Sequence, residues 1–152
     1  MSAPDLIEEV VGWRAWRLQH RHPRVPVLCS LVHANVWPTD AWMVADCGGY
    51  HTPPGEHCRC GIYAARSHQQ LVELGYAACQ STSGRLVQVI GEVGLAGRVV
   101  VAEQGFRAER ARPRRLWVPY AAWELVASLR AVYRVPVELG NPLHLDRLQE
   151  VS

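Results

Sequence analysis

The segment from Asp46 to Tyr63, DCGGYHTPPGEHCRCGIY, constrains this chain more than any other. It gathers three of the five cysteines and two of the seven histidines. Cys47-x3-His51 sets a thiol and an imidazole across a turn. Cys58-Arg59-Cys60 sets two thiols two residues apart. On extended backbone, residues two apart share a face, so both sulfurs can address one point. Gly48-Gly49 and Pro53-Pro54-Gly55 bend the chain so that the two pairs can meet. Gly61, directly after Cys60, leaves room for close backbone approach.

Cys47, His51, Cys58 and Cys60 together are a closed set of soft and borderline donors, which suits tetrahedral Zn2+. His57 is the alternative nitrogen ligand. It adjoins Cys58, and neighbouring side chains on a strand diverge, so His51 is preferred. The spacing departs from the paired Cys-x2-Cys of common zinc fingers. The competing reading is a group of packed thiols beside an exposed histidine. Three cysteines and one histidine also hold the [2Fe–2S] cluster of CDGSH-type proteins. Here Cys-x3-His and Cys-x-Cys occur in the opposite order and without Asp-Gly-Ser, so the likeness is one of donor set alone. An iron–sulfur redox or sensor protein is therefore the alternative to zinc. A third reading leaves His51 out. Three cysteines and a water would then give a small zinc hydrolase its open position, with Glu56 as a nearby base.

At 152 residues the expectation is a single domain over 1–152, long enough to bury a core. An apolar content of 49% with 20% charged residues places it among globular chains. No apolar run is long enough to span a bilayer. The acidic start MSAPDLIEEVVGW lacks the features of a signal peptide. A cytoplasmic location is expected, where reduced thiols favour metal over disulfides. All sixteen basic side chains are arginine, a bias expected of a GC-rich genome. A net charge of only +2 argues against a strong general affinity for nucleic acid.

The patterning predicts a mixed α+β domain: a strongly bent antiparallel sheet or small β-barrel with flanking helices and the metal loop 46–63 inserted between strands. Residues 2–11 read as a short helix ended by Gly12. Trp13–His20 and Val25–His33 read as strands, with Cys29 in the core, joined by a turn over His20–Arg24. Trp42–Ala45 is a short strand delivering Cys47, and Ile62–Ala64 leads out of the loop. Ser67 caps a helix running to Ala78, with His68 exposed in its first turn, and Cys79 is a packed thiol. The cluster Ser81–Gly84 ends that element. Residues 85–119 are the main β region. Gly94 and Gly97 mark a bulge or bend, a turn lies at Gln104-Gly105, and Pro113 marks an edge or break in the returning strand. Pro119 opens a helix with Tyr120, Trp123, Leu125, Val126, Leu129 and Val132 on its apolar side, and Asn141 caps a last turn through Leu148.

Trp13, Trp16, Trp37-Pro38, Cys47, His51, Cys58-x-Cys60-Gly-Ile-Tyr-Ala, Gly97-Arg-Val-Val and Glu103-x-Gly-Phe-Arg-Ala-Glu resemble, over roughly residues 12–135, a group of small proteins of GC-rich bacteria. These carry Cys, His and Cys-x-Cys-Gly-Ile-Tyr-Ala in this order. The resemblance implies His51 rather than His57 as the ligand, and it implies no catalytic residues.

On a strand, Arg110, Arg112 and Arg114 share one face. Such a stripe can contact phosphates, with Phe106 or a tryptophan stacking a base. The competing reading is a solvated sheet face. Arg107 and Glu109 alternate to the opposite face, where they would pair if buried. Trp16, Trp42 and Trp123 have core-like neighbours. Trp37, before a proline, is the tryptophan best suited to a pocket. There is no hydrolase triad, phosphate loop or deaminase pattern. The expected function is a non-enzymatic, zinc-stabilised binding or regulatory module for a nucleic-acid or protein partner.

Overall fold

The structure, a computed structural model, describes residues 9–21, 25–32, 35–49, 51–55, 57–76, 80–81 and 87–142. The expected segments over residues 2–8, His22–Arg24, His33, Glu56, Cys79, 82–86 and 143–148 lie outside them. The architecture is α+β and mostly strand. β1 (Val10–Arg21), β2 (Val25–Cys29), β3 (Met43–Val44), β4 (Ile62–Ala64) and β5 (Gln80–Ser81) precede two long strands, β6 (Val87–Ala102) and β7 (Gly105–Val118). A 3₁₀ segment (Tyr120–Leu125), α2 (Val126–Tyr133) and β8 (Val137–Leu139) follow; α1 (His68–Glu73) lies between β4 and β5.

β6 and β7 form the central hairpin, paired from Ile90↔Trp117 to Ala102↔Gly105. β1 runs antiparallel on the free edge of β6, from Val10↔Leu95 to Arg17↔Gln88, and β2 pairs with the far end of β1. On the free edge of β7, β8 takes residues 116–118, β3 takes 110–111 and β4 takes 106–108. The β7–β8 pair is parallel, so the sheet is mixed rather than wholly antiparallel. Its register shifts at Glu92/Val93 and again between Ala96 and Val99, and Gly97 sits at a φ of 73°. These irregularities bend the hairpin, as bulges do. The first of them falls at Val93↔Pro113, so the proline lies where the ladder is already broken. The ladders leave the sheet bent and open. A single bridge, with Trp13 N–H to Ala65 O at 2.8 Å and Ala65 N–H to Trp13 O at 2.7 Å, draws the end of β4 to β1.

Each face of the sheet has its own apolar layer. Trp16, Leu18, Leu28, Val89, Val93, Leu95, Leu116 and Val118 pack with Leu129 and Tyr133 of α2. On the other face Ala15, Ile90 and Trp117 pack with Leu71 of α1, with Trp13 and Tyr76 against them. Neighbours on β1 thus serve opposite layers, as the period of a strand requires. Trp16 meets Trp37 edge to face at 5.4 Å, and Trp13 stacks on Trp117 at 5.3 Å, both favourable quadrupole arrangements.

Several expectations are corrected. Val10 and Val11 belong to β1 rather than to a helix. Gly12 does not break the element: a Cβ there would lie 2.7 Å from that of Ala64, so glycine lets β4 approach β1. α1 is capped by the Ser67 hydroxyl, which accepts from Gln70 N–H at 3.0 Å, but it stops at Glu73. Gly75, at a φ of 99°, turns the chain away. His68 is buried against Trp13, with ring centroids 5.3 Å apart, rather than exposed. Trp123 and Tyr120 are exposed, because the 3₁₀ segment turns them outward before α2 begins. Cys29 is core, as expected.

The phenol of Tyr133 joins three elements. It accepts from Leu28 N–H at 2.7 Å and donates to Trp37 O at 3.0 Å. Tyr133→Phe removes those partners from a buried amide and a buried carbonyl. The expected loss is about 1–3 kcal/mol, read as a lower urea midpoint at unchanged slope.

Candidate metal centre

The centre is built on the outer edge of β7. β3 pairs through Val44↔Arg110, and the next residue, Ala45, donates its N–H to Glu109 O at 2.9 Å. β4 resumes at the following position, Ile62↔Ala108. β3 and β4 are thus one edge strand in two pieces, and residues 46–61 form a loop that leaves and returns at adjacent positions. The ends of the loop are fixed before any metal is considered. Cys47 stands just beyond one end, and Cys60 just before the other.

Inside the loop, Asp46 Oδ1 accepts from Gly48 N–H at 3.0 Å and tightens the first turn. The Pro53–Pro54 peptide is cis and both prolines are buried. A Cβ on Gly55 would come within 2.5 Å of His51 Nε2, so glycine leaves the imidazole room to stand where it does. The Gly55 N–H donates to Cys60 Sγ at 3.2 Å.

The four sequence-predicted donors converge. Cys47 Sγ, His51 Nε2, Cys58 Sγ and Cys60 Sγ all lie within 4.8 Å of one another. Cys47 and Cys58 sulfurs are 3.4 Å apart, and His51 Nε2 is 3.1 Å from Cys60 Sγ. Metal bonds of about 2.3 Å to sulfur and 2.0 Å to nitrogen place tetrahedral donors roughly 3.5–3.8 Å apart. These two spacings are a few tenths of an ångström shorter than that range and all four donors lie within 4.8 Å, so the set is positioned to hold a single ion. His57 is exposed and stands outside the group.

The thiols already act as a unit. Its hydrogen bond with Cys58, then that with Cys60, pushes the Cys47 thiol up to about 12, while accepting from Cys47 pulls Cys58 down. Three sulfurs this close share protons rather than ionise together. A cation relieves that repulsion and takes all of them as thiolates.

Arg107 is the functional residue that sequence reasoning missed. Its guanidinium reaches under the loop and donates to Cys58 O at 2.5 Å, to Cys60 O at 3.0 Å and to Gly55 O at 3.4 Å. It holds the Cys-x-Cys arm in shape through the backbone of both cysteines. The expected pairing of Arg107 with Glu109 is not the arrangement found: Glu109 Oε2 instead accepts from Arg98 N–H at 2.9 Å. Tyr63, paired with Arg107 across the strands, donates its hydroxyl to Arg59 O. Only the register Tyr63↔Arg107 could have pointed to this arginine, and register is not written in either strand alone.

The expected partner-binding residues divide. Arg110, Arg112 and Arg114 are exposed along one face of β7. The tryptophan beside them is Trp42, not Trp37: the guanidinium carbons of Arg112 and Arg110 lie 4.5 and 5.5 Å from its ring. Arg112 also pairs with Glu9. Trp37 is buried in the core, its Nε1–H donating to Ser30 Oγ at 3.0 Å. Phe106 packs against the same core rather than standing free.

Compared with protein-family models, with curated proteins and with solved structures, the chain matches none. Among the described residues no helix is long and apolar enough to cross a membrane.

Arg107→Met keeps the β7 backbone but removes the guanidinium donor from three loop carbonyls. Metal affinity, measured by competition with a chromophoric chelator, is expected to fall about 10–100-fold, with a native near-ultraviolet circular dichroism spectrum retained.

Proposed function

We propose that the chain is a non-enzymatic binding or regulatory module whose loop is stapled by a structural zinc ion. One observation carries this reading: four donors, three sulfurs and one imidazole, close on one point from both arms of a loop anchored on one sheet edge. Four protein ligands complete a tetrahedral zinc, whereas hydrolytic zinc keeps a position for water. The donor set therefore favours structure over catalysis. Reduced cysteines of this kind suit a cytoplasmic setting.

The recognition surface in this reading is the face bearing Trp42, Arg110, Arg112 and Arg114. Arginines laid over an indole are held in place at little entropic cost. They offer planar donors to phosphates, and the indole offers a stacking face. A nucleic acid is the favoured partner; a protein partner is the alternative.

Elemental analysis of purified protein is expected to give one zinc per chain and a colourless solution. Cys47→Ser is expected to lose the metal. A brown protein holding iron and sulfide would replace zinc with a [2Fe–2S] cluster, and a chain free of both metals would end the reading. Binding to mixed oligonucleotides is expected to weaken with salt. Replacing Arg110 and Arg114 by Ser should lower the slope of log affinity against log salt by about 2. No binding at low salt would leave a protein as the partner.

A further inference from the structure

A second site lies in the cavity beside the loop. Between β1, the segment after β2, β3, the outgoing arm of the loop and α1 is a cavity of about 770 Å³, the size that holds a small organic ligand. Its walls are aromatic and aliphatic: Trp13, Trp37, Tyr76, Leu31, Leu71 and Leu74. Arg14 also lines it, and this arginine is unusual in three ways.

First, it is half-buried, and desolvation pulls its guanidinium down to about 10, against which Tyr76 works in the other direction. It stays cationic at neutral pH. Second, no carboxylate pairs with it among the described residues. Its partners are neutral: Nη1 donates to Tyr63 O at 2.6 Å, Nη2 donates to Ser30 Oγ at 3.2 Å, and the guanidinium lies 4.9 Å from the centre of the Trp37 ring. Third, its Nε–H is buried without an acceptor. Partial burial of a cation that lacks a counter-ion is costly, and full burial of its Nε–H without a partner adds to that cost. The other charged residues lining the cavity are Asp46 and Arg59, both exposed. Asp46 accepts from Gly48 N–H.

We propose that this cavity binds a small organic anion, a carboxylate on a flat apolar body, with Arg14 as its charge partner. The anionic group meets the guanidinium, and the apolar body lies between Trp13, Tyr76 and the leucines. The exposed pair Arg59 and Asp46 are of opposite sign, which leaves Arg14 as the charge that selects the ligand. The inference does not depend on a metal in the loop, since Arg14 and all six wall residues named come from outside residues 46–63.

The test is a fluorescence titration of the full chain with two probes of matched shape. One is anionic, 8-anilinonaphthalene-1-sulfonate; the other is its neutral counterpart, N-phenyl-1-naphthylamine. Saturable one-to-one binding is expected, with the anion bound about tenfold tighter or more. Benzoate is expected to displace the anionic probe, and benzyl alcohol at the same concentration is not. Arg14→Met should abolish the preference for the anion while the neutral probe still binds. Equal affinity of the wild-type chain for the two probes overturns the proposal. So does a preference that survives in a folded Arg14→Met chain. If that variant does not fold, the benzoate and benzyl alcohol comparison on the wild-type chain decides, and equal displacement by the two overturns it.

Discussion

The molecule depends on the pairing of β6 with β7. That ladder runs from Ile90↔Trp117 to Ala102↔Gly105, and every other strand is added to one of its two edges or to a strand already there. The edge of β7 sets the geometry of the metal centre. It seats β3 and β4 at consecutive positions, so the two arms of the loop start side by side. Closing a long loop has an entropic cost that grows only slowly with length. Here the sheet meets that cost, and the metal donors are left to order only the loop interior. Arg107, itself on β7, extends the same template outward to the carbonyls of Gly55, Cys58 and Cys60.

This division of labour explains the chemistry of the loop. Glycines occupy the places where backbone must pass beneath a donor or turn through positive φ, Gly55 under His51 and Gly61 at 120° beside Arg107. The sulfurs are close enough to share protons, so one thiol is held protonated while its neighbour is favoured as thiolate. An arrangement of that kind resists ionisation until a cation enters, which is the coupling of metal and proton expected of thiolate sites. The open face of the sheet bearing Arg110 and Arg114 and the cavity at Arg14 are both secondary to this frame.

The legible parts of the sequence were those governed by local chemistry. Cys47, His51, Cys58 and Cys60 were readable because metal chemistry demands particular residues at short spacing, and the structure brings all four together. The bend at Gly94–Gly97, the cap at Ser67 and the alternation of Arg110, Arg112 and Arg114 are likewise local signals. What failed depended on partners distant in the chain. Gly12 resembles a helix breaker until Ala64 is seen against it. Trp37 lines the cavity at Arg14, as a pocket residue should, but Trp42 takes its expected place beside the arginine stripe, since Tyr133 and Ser30 bind the polar groups of Trp37 in the core. Trp123 resembles core until the 3₁₀ segment turns it outward. Alternation pairs Arg107 with Glu109 if their face is buried, whereas register across the strands sets Arg107 beneath the loop. The closure into a barrel that the patterning also allowed is not made by the ladders, which leave β2 and β3 at opposite ends of the main strand order.

The central claim is that sulfur and imidazole from both arms of one loop hold a single ion. X-ray absorption at the edge of the metal that copurifies with the chain tests it most directly. The account predicts a first shell of three sulfurs near 2.3 Å and one nitrogen near 2.0 Å. A shell of oxygen and nitrogen alone, or one with fewer than three sulfurs, would contradict it.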